Sequence, residues 1–513
     1  MLTVEIKNKV KDLWDRLWAA GLSNPITAIE QISYLLFMKR LENFHPETPE
    51  DYKWSKYQDL KGERLVTHIK ENVFQYIKNQ LSRKGEPFAE SMEDASFRIN
   101  NQSLLEDAIL IINGIYKQIE KQEEEGGQHF QDIQGDVYEH LLKQTSEAGK
   151  NGQFRTPRHI IQMMVEFLEP DLDGRICDLA CGSGGFLVGA YQYLITKNSQ
   201  KVITDENGLS KGVDGSKLTA AKRKQLKEKT FYGFDIDQTM VRIGIMNLMM
   251  HGINKPKISY LDTLSTDYEK FEGKKAQGRY KYILANPPFT GKINSLTVSE
   301  NLNKIYHLKK DKAGNRVKLT VQSELLFLER IIYMLENGGR AAVIVPEGVL
   351  FGGSLAQMKT RELLLKDNCL DAVISLPPGV FKPYTGVKTA IIVFNKPVKK
   401  SKAWNTERVW FYELINDGYS LDDNRRKLTE NPLPIAVSNF RGRDTSLLEE
   451  TKDSFYIPIT EIQENGLDLS YNRYKKVEYQ EETYESPQKI LETLFQLEQE
   501  IQKDLQELKN LIG

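Results

Sequence analysis

With 513 residues, 40% hydrophobic and 27% charged, the chain has material for two to four packed domains and a large core. Its 70 lysines and arginines against 71 acids leave a net charge of -1, which excludes a global basic field as the means of holding nucleic acid; any such grip needs a local basic surface or a partner. The only cysteines, Cys177, Cys181 and Cys369, exclude a disulfide framework and suit a reducing cytoplasm, and the absence of an 18-residue apolar run or a basic-then-apolar start gives no membrane span or export signal.

Residues 1–150 read as helices. Ile6, Val10, Leu13, Trp14, Leu17 and Trp18 recur at three- and four-residue spacing, and Asn24-Pro25 opens a second helix with Ile29, Ile32, Leu35, Leu36 and Phe37 on its stripe. The helical pattern continues from Leu104 to Glu125 and from Val137 to Leu142, separated by Gly126-Gly127. No catalytic constellation is visible here, so this part is expected to bind or assemble.

At Gly152-Gln153-Phe154-Arg155-Thr156-Pro157 the pattern changes. Thr156 is predicted as N-cap and Pro157 as first residue of a helix that buries Ile160, Ile161, Met164, Val165 and Leu168; the alternative is that this turn lines a cofactor pocket. Arg175 to Leu187 then reads as a strand ending at Asp178, a glycine turn and a helix, the first βα unit of a Rossmann-like sheet. A dinucleotide fingerprint would need glycine where Leu187 stands, so a cofactor without pyrophosphate, such as S-adenosylmethionine, fits the turn better, with Asp178 as a partner for its ammonium. Cys177 and Cys181 are four apart but have no companion Cys/His cluster, so no metal site is expected.

Residues 198–229, with Lys222-Arg223-Lys224, read as an inserted surface loop or helix. A second strand from Thr230 to Phe234 ends at Asp235-Ile236-Asp237. Asp235 is placed to take the ribose hydroxyls and Ile236 to pack on the adenine, while Asp237 reads as the N-cap of the following helix. A third strand, Lys257 to Tyr260, leads to Asp262, which either accepts from the cofactor's adenine amine or is a turn residue.

The fourth strand, Tyr280 to Ala285, stops at Asn286-Pro287-Pro288-Phe289. An exocyclic amine on a nucleobase is a poor nucleophile because its lone pair is delocalised into the ring. Two acceptors aimed at its N–H bonds draw the nitrogen toward a tetrahedral shape; the Asn286 side-chain oxygen and the Pro287 carbonyl are such a pair, and Phe289 offers a face for a base pulled out of its helix. The plainer alternative is a rigid turn after a strand. Residues 290–320, with His307, Lys309, Lys310, Lys312 and Arg316, read either as a basic loop for phosphate contacts or as a surface insertion.

Helix Glu324 to Leu335, strand Arg340 to Val345, a helix over about 355–366 and strand Asp371 to Leu376 follow, and Thr389 to Phe394 is predicted as the last strand. Phe381, in the turn between those last two strands, either clamps the other side of a flipped base or is a buried hairpin phenylalanine. Residues 404–475 carry no assignable chemistry. Ser486-Pro487 is predicted to open a final helix with Ile490, Leu494, Leu497, Ile501, Leu505, Leu508 and Ile512 on one near-heptad stripe, which wants a partner helix.

Phe154-Arg155-Thr156-Pro157, Asp178 to Gly184, Asp235, Asn286 to Phe289 and Gly338 to Val343 occur in the order seen in gamma-type N6-adenine DNA methyltransferases. The chain most closely resembles the modification subunits of type I restriction-modification systems, over nearly its whole length, including Leu35 to Arg40 and Asn472-Arg473-Tyr474. The resemblance implies an α/β fold: an all-α N-terminal domain (1–150), a Rossmann-like S-adenosylmethionine-dependent catalytic domain with its C-terminal extension (151–475), and a C-terminal helix for subunit assembly (476–513). By position it implies that Asp235 binds the ribose, Asp262 the cofactor adenine, and Asn286 with Pro287 the target amine. With the reading of the residues, the expected cofactor contacts are Phe154, Thr156, Pro157, Asp178, Ala180, Gly182, Ser183, Gly184, Asp235, Ile236 and Asp262, catalysis is expected at Asn286, Pro287, Pro288 and Phe289, and the target base is expected on Phe289 and Phe381. The implied partners are double-stranded DNA, a specificity subunit, a restriction subunit and a second modification subunit, in the cytoplasm. The rival expectations are methylation of a protein glutamine amide, which poses the same electronic problem, and a DNA-binding scaffold without turnover.

Overall fold

The computed structural model describes every residue except 1, 46, 82, 127–129, 148–155, 206, 290, 307–318, 400, 445–450, 477–486 and 513. The apolar runs marked as strands form one mixed sheet. In chain order its members and the two side ribbons are β1 (Ile176–Asp178), β2 (Val202–Thr204), β3 (Ser210–Gly212), β4 (Phe231–Asp235), β5 (Lys257–Tyr260), β6 (Tyr280–Ala285), β7 (Lys292–Asn294) and β8 (Thr320–Gln322). Then come β9 (Leu335–Pro346), β10 (Cys369–Leu376), β11 (Thr389–Asn395), β12 (Arg408–Glu413) and β13 (Ser454–Pro458). The large sheet runs β13-β12-β10-β11-β9-β6-β1-β4-β5, while β2 pairs with β3 and β7 with β8.

From β9 to β5 all neighbours are parallel. After β5 the chain returns to the opposite side of β1 and forms β6, so the strand order reverses between β1 and β6. In an open α/β sheet the crevice beyond the carboxyl ends of the strands at such a reversal is where ligands bind. Asp178, Asp235 and Asn286 stand at those ends.

Both faces of the sheet are covered, which is why Ala341, Ala342, Val343, Ile344 and Val345 of β9 are all buried. One face carries the helices Arg158–Leu168, Gly185–Lys197 and Gln238–Met250; the other carries Ser323–Met334 and the late helix Tyr471–Tyr474. Thr389 to Phe394 is not the last strand. Arg408–Glu413 adds to β10 in parallel and Ser454–Pro458 closes the edge antiparallel to it. Residues 198–229 are a β2/β3 hairpin and a helix, Ala220–Lys229, capped by Thr219.

The N-terminal helices include Val4–Ala19, Pro25–Phe44, Gln102–Gly126 and Phe130–Glu147. Asn24 caps the second through its side chain, with Pro25 at the first position. Trp14 is buried and Trp18 half-exposed, stacked at 5.9 Å. These helices pack on Gln238–Met250, where a buried Arg242 donates to Glu30 at 2.7 Å, to the Ser91 carbonyl at 2.9 Å, and to Asp94. A guanidinium taken out of water is tolerable only with such partners, so the contact fixes one relative placement. Residues 1–474 form one compact unit.

The second unit, residues 475–513, holds the helix Pro487–Ile512, whose stripe residues Ile490, Leu494, Leu497, Ile501, Leu505 and Leu508 are exposed. Ser486, predicted to cap it, lies outside the described residues. No helix among the described residues is long and apolar enough to cross a membrane.

Candidate active site

The β1 strand delivers Asp178, 1% exposed, into a turn whose Ala180 N–H donates to its carboxylate at 3.1 Å. Gly182 and Gly184 then take φ of 48° and 76°, the left-handed region that glycine enters without penalty. Close packing adds a second reason: a Cβ on Gly184 would lie 2.7 Å from Leu248, and one on Gly244 would lie 2.9 Å from the Gly182 carbonyl. The turn thus rests directly on the helix Gln238–Met250 before the helix Gly185–Lys197 begins. Burial pushes the Asp178 carboxyl up to about 8; the Ala180 N–H opposes the shift and the neighbouring Asp235 adds to it. Among the described residues this is its one hydrogen-bond donor, which leaves room for a cationic partner.

Asp235, at the end of β4, accepts from Gly182 N–H at 2.8 Å with one oxygen and from Asp237 N–H at 2.9 Å with the other. It therefore ties the glycine turn to the next strand. Burial raises its carboxyl above the usual range against those two backbone donors. Asp237 caps Gln238–Met250 through Thr239 and Met240, as expected of it. Ile236 is exposed, and so is Asp262. Asp262 accepts from Leu264 N–H at 2.9 Å, the geometry of a turn residue, and lines a shallow cleft with Ser265, Thr297 and Glu300.

At the end of β6, Asn286 is half-buried, Pro287 buried, Pro288 exposed and Phe289 half-buried. The Asn286 amide nitrogen donates to the Thr156 hydroxyl at 3.0 Å. Its oxygen, Oδ1, is buried without a hydrogen-bond partner among the described residues. A buried acceptor left in this state can take a donor from a ligand.

The expectation that Thr156 caps the next helix is not met. The helix starts at Arg158 with Pro157 at the cap position and no side-chain cap bond, and the Thr156 hydroxyl is turned to Asn286 instead. Phe154, expected at the cofactor, lies outside the described residues, as do Arg155 and the basic residues His307, Lys309, Lys310, Lys312 and Arg316. Phe381 is 2% exposed and meets Phe289 edge-on at 6.0 Å. In this arrangement it backs Phe289 and offers almost no open face, the buried hairpin alternative.

Thr156 and Phe381 also line a cleft of about 800 Å³ shared with His140, Arg158, Lys211 and Tyr384. Asp136 organises its wall: Arg158 donates to it at 2.9 Å and Lys211 at 2.7 Å, and these cations outweigh burial and hold its carboxyl well below the usual range. His159, next in the chain, is buried against Asp417 at 2.7 Å and stacked on Tyr419.

Sequence reasoning missed Asn247. Wholly buried, it donates to the Ser183 carbonyl of the glycine turn and to Glu139 of the N-terminal helices, each at 2.8 Å. Its only signal is a polar side chain inside the apolar run Met240 to Met250. Among the described residues no group of three or more His, Cys, Asp or Glu could hold a metal ion.

The arrangement is therefore a glycine turn with a buried acid beside an asparagine carrying an orphaned acceptor, at the reversal of a parallel sheet. The family model for N-6 DNA methylase matches residues 129–483, and that for the HsdM N-terminal domain matches 6–112. The chain belongs to the N-6 DNA methylase family. The chain is 27% identical to the type I restriction enzyme EcoEI methylase subunit of Escherichia coli, covering 99% of this chain and 98% of that one. It is 28% identical to the StySPI methylase subunit of Salmonella potsdam, covering 79% and 70%. A solved chain from a study of complex assembly in a type I R-M system shares the fold, with a TM-score of 0.66 at 23% identity, covering 99% of this chain and 98% of that chain.

Proposed function

We propose that this N-6 DNA methylase is the methylation subunit of a type I restriction-modification complex and transfers a methyl group from S-adenosylmethionine to N6 of adenine in duplex DNA. The observation that carries the reading is the buried, unpartnered Oδ1 of Asn286, one strand away from the Asp178 turn. The residues present fit the cofactor. Asp178, with one backbone donor and a carboxyl raised by burial, suits its ammonium; Ala180, Gly182, Ser183, Gly184, Thr156 and Pro157 would contact it, Asp235 and Ile236 would take the ribose and adenine, and Asp262 the adenine amine.

When bound, S-adenosylmethionine supplies a methyl group activated by its sulfonium. The chain's own residues prepare the other reactant. Asn286 Oδ1 and the Pro287 carbonyl accept the two N–H bonds of the adenine amine and free its lone pair from the ring. Phe289 holds the flipped base by stacking, with Phe381 behind it, and Pro288 stiffens the turn. Fixing the amine in line with the methyl group replaces a bimolecular encounter by an oriented one. The amine's proton then leaves to solvent.

The near-neutral net charge fits a subunit whose sequence reading belongs to a partner. The complex comprises a specificity subunit, a restriction subunit and a second methylation subunit, and works in the cytoplasm. Co-expression with a specificity subunit, in a host free of other adenine methylation, followed by mapping of modified bases, tests this. N6-methyladenine at one recurring motif is expected; label on protein, or unmodified DNA, overturns it.

A further inference from the structure

We propose that Thr156 is a positioning residue for methyl transfer: its hydroxyl accepts from the Asn286 amide nitrogen and so decides which end of that amide faces the target amine. The inference rests on the function proposed above and adds a residue to it. An asparagine side chain has a donor end and an acceptor end of nearly the same shape. In one orientation Oδ1 meets the N–H bonds of the adenine amine; in the other, NH₂ meets NH₂, and the lone pair is never released. Nothing in Asn286 itself selects between the two.

Thr156 holds the first of these. Its oxygen lies 3.0 Å from Asn286 Nδ2, and it leaves Oδ1 as the buried end without a partner. Thr156 is itself 7% exposed, so little of it meets bulk water. The backbone that carries it is fixed from the other side. Arg158 is held by Asp136 and Gln192, and His159 by Asp417, in the first turn of the helix that follows. The threonine does not spend its oxygen on capping that helix. A hydroxyl both donates and accepts, but were Thr156 to donate to Oδ1, the acceptor would be consumed and the amine would face donors. Only the orientation observed leaves a site for the reaction.

The test uses the complex assembled with its specificity subunit, labelled S-adenosylmethionine, and unmethylated chromosomal DNA. Single-turnover methylation at saturating cofactor, cofactor affinity by calorimetry and thermal melting are measured for Thr156→Val, Thr156→Ser and Asn286→Ala. Thr156→Val is expected to lower the rate about tenfold to a hundredfold, as for a lost hydrogen bond in the transition state, a loss that persists when the cofactor saturates. Thr156→Ser, which keeps the oxygen, is expected to stay within about threefold of the parent rate, well inside the tenfold loss expected of valine. A valine variant at full rate overturns the proposal, as does a loss confined to cofactor affinity, which would make Thr156 a cofactor ligand only. Failure of serine to restore the rate overturns it too. Should the valine variant unfold, Thr156→Ala against Thr156→Ser carries the same decision. If the parent complex leaves adenine unmodified, the proposed function fails; if Asn286→Ala keeps its rate, the acceptor role of Asn286 fails and the positioning role with it; if Asn286→Ala is inactive while Thr156→Val is not, only the positioning role fails.

Discussion

The ends of β4 and β6 make an instructive pair. Both place one polar side chain at the carboxyl edge of the same sheet, on either side of β1. At β4 the carboxylate of Asp235 is engaged on both oxygens, by Gly182 and Asp237, so the residue builds the turn before it meets any ligand. At β6 the Asn286 amide is half engaged: its donor end is tied to Thr156 and its acceptor end is buried and left open. The Asp235 carboxylate is spent on the turn, while the Asn286 amide keeps its acceptor end open. Removing the first therefore costs stability, and removing the second costs rate.

The largest structural effect is expected from Asp235→Ala. It strands two backbone N–H groups at about 1–3 kcal/mol each where water cannot replace the carboxylate, so melting falls and cofactor affinity falls with it. Equal melting of Asp235→Ala and Asn286→Ala would break the contrast between the two ends.

Asp178 gives the next effect, read through pH. Its folded value of about 8 lies above the ordinary 3.8, so the folded chain holds this proton more tightly than the unfolded one. Its contribution to stability is complete below about 3.8 and is lost as pH rises through about 8. A cationic ligand needs the carboxylate, so cofactor affinity should climb by up to about tenfold per pH unit between pH 6 and 8, with a proton released on binding at pH 7. Calorimetry in buffers of different ionisation enthalpy measures that proton, and Asp178→Asn should abolish it. A flat profile in the parent protein would remove Asp178 from the cofactor's ammonium.

Phe289→Ala should cost about 1–3 kcal/mol in holding the flipped base, seen as weaker binding of DNA carrying a fluorescent base at the target, with cofactor affinity unchanged. The smallest effect is expected at Asp262, which is exposed and holds one backbone N–H. Asp262→Ala should change melting by less than about 1 kcal/mol, and any larger loss in cofactor affinity would separate its adenine contact from its turn role.

Much of this was legible in the residues. Proline stops strand β6 at Asn286, glycine opens the turn after Asp178, and acids follow β4 and β5; each is a local signal. What the sequence concealed depends on partners far along the chain. Thr156-Pro157 has the form of a helix start, and only a fold that brings it to a residue 130 positions away shows the hydroxyl turned to Asn286. Arg242 and Glu30, 212 apart, and Asn247 with Glu139 and Ser183 are hidden in the same way. The missed strands have another cause. Arg408 to Glu413 is a compact buried run, but it sits among charged, irregular stretches, and its place at the sheet edge is fixed only by pairing with β10 and β13.

The central claim is that Asn286 Oδ1 is the acceptor that makes the adenine amine reactive. Its most direct test is the single-turnover methylation rate of Asn286→Ala in the assembled complex at saturating S-adenosylmethionine. The rate should fall by about 10²–10³, as when one preorganised hydrogen-bonding group is removed from an active site, while melting holds. A rate within threefold of the parent's would contradict it.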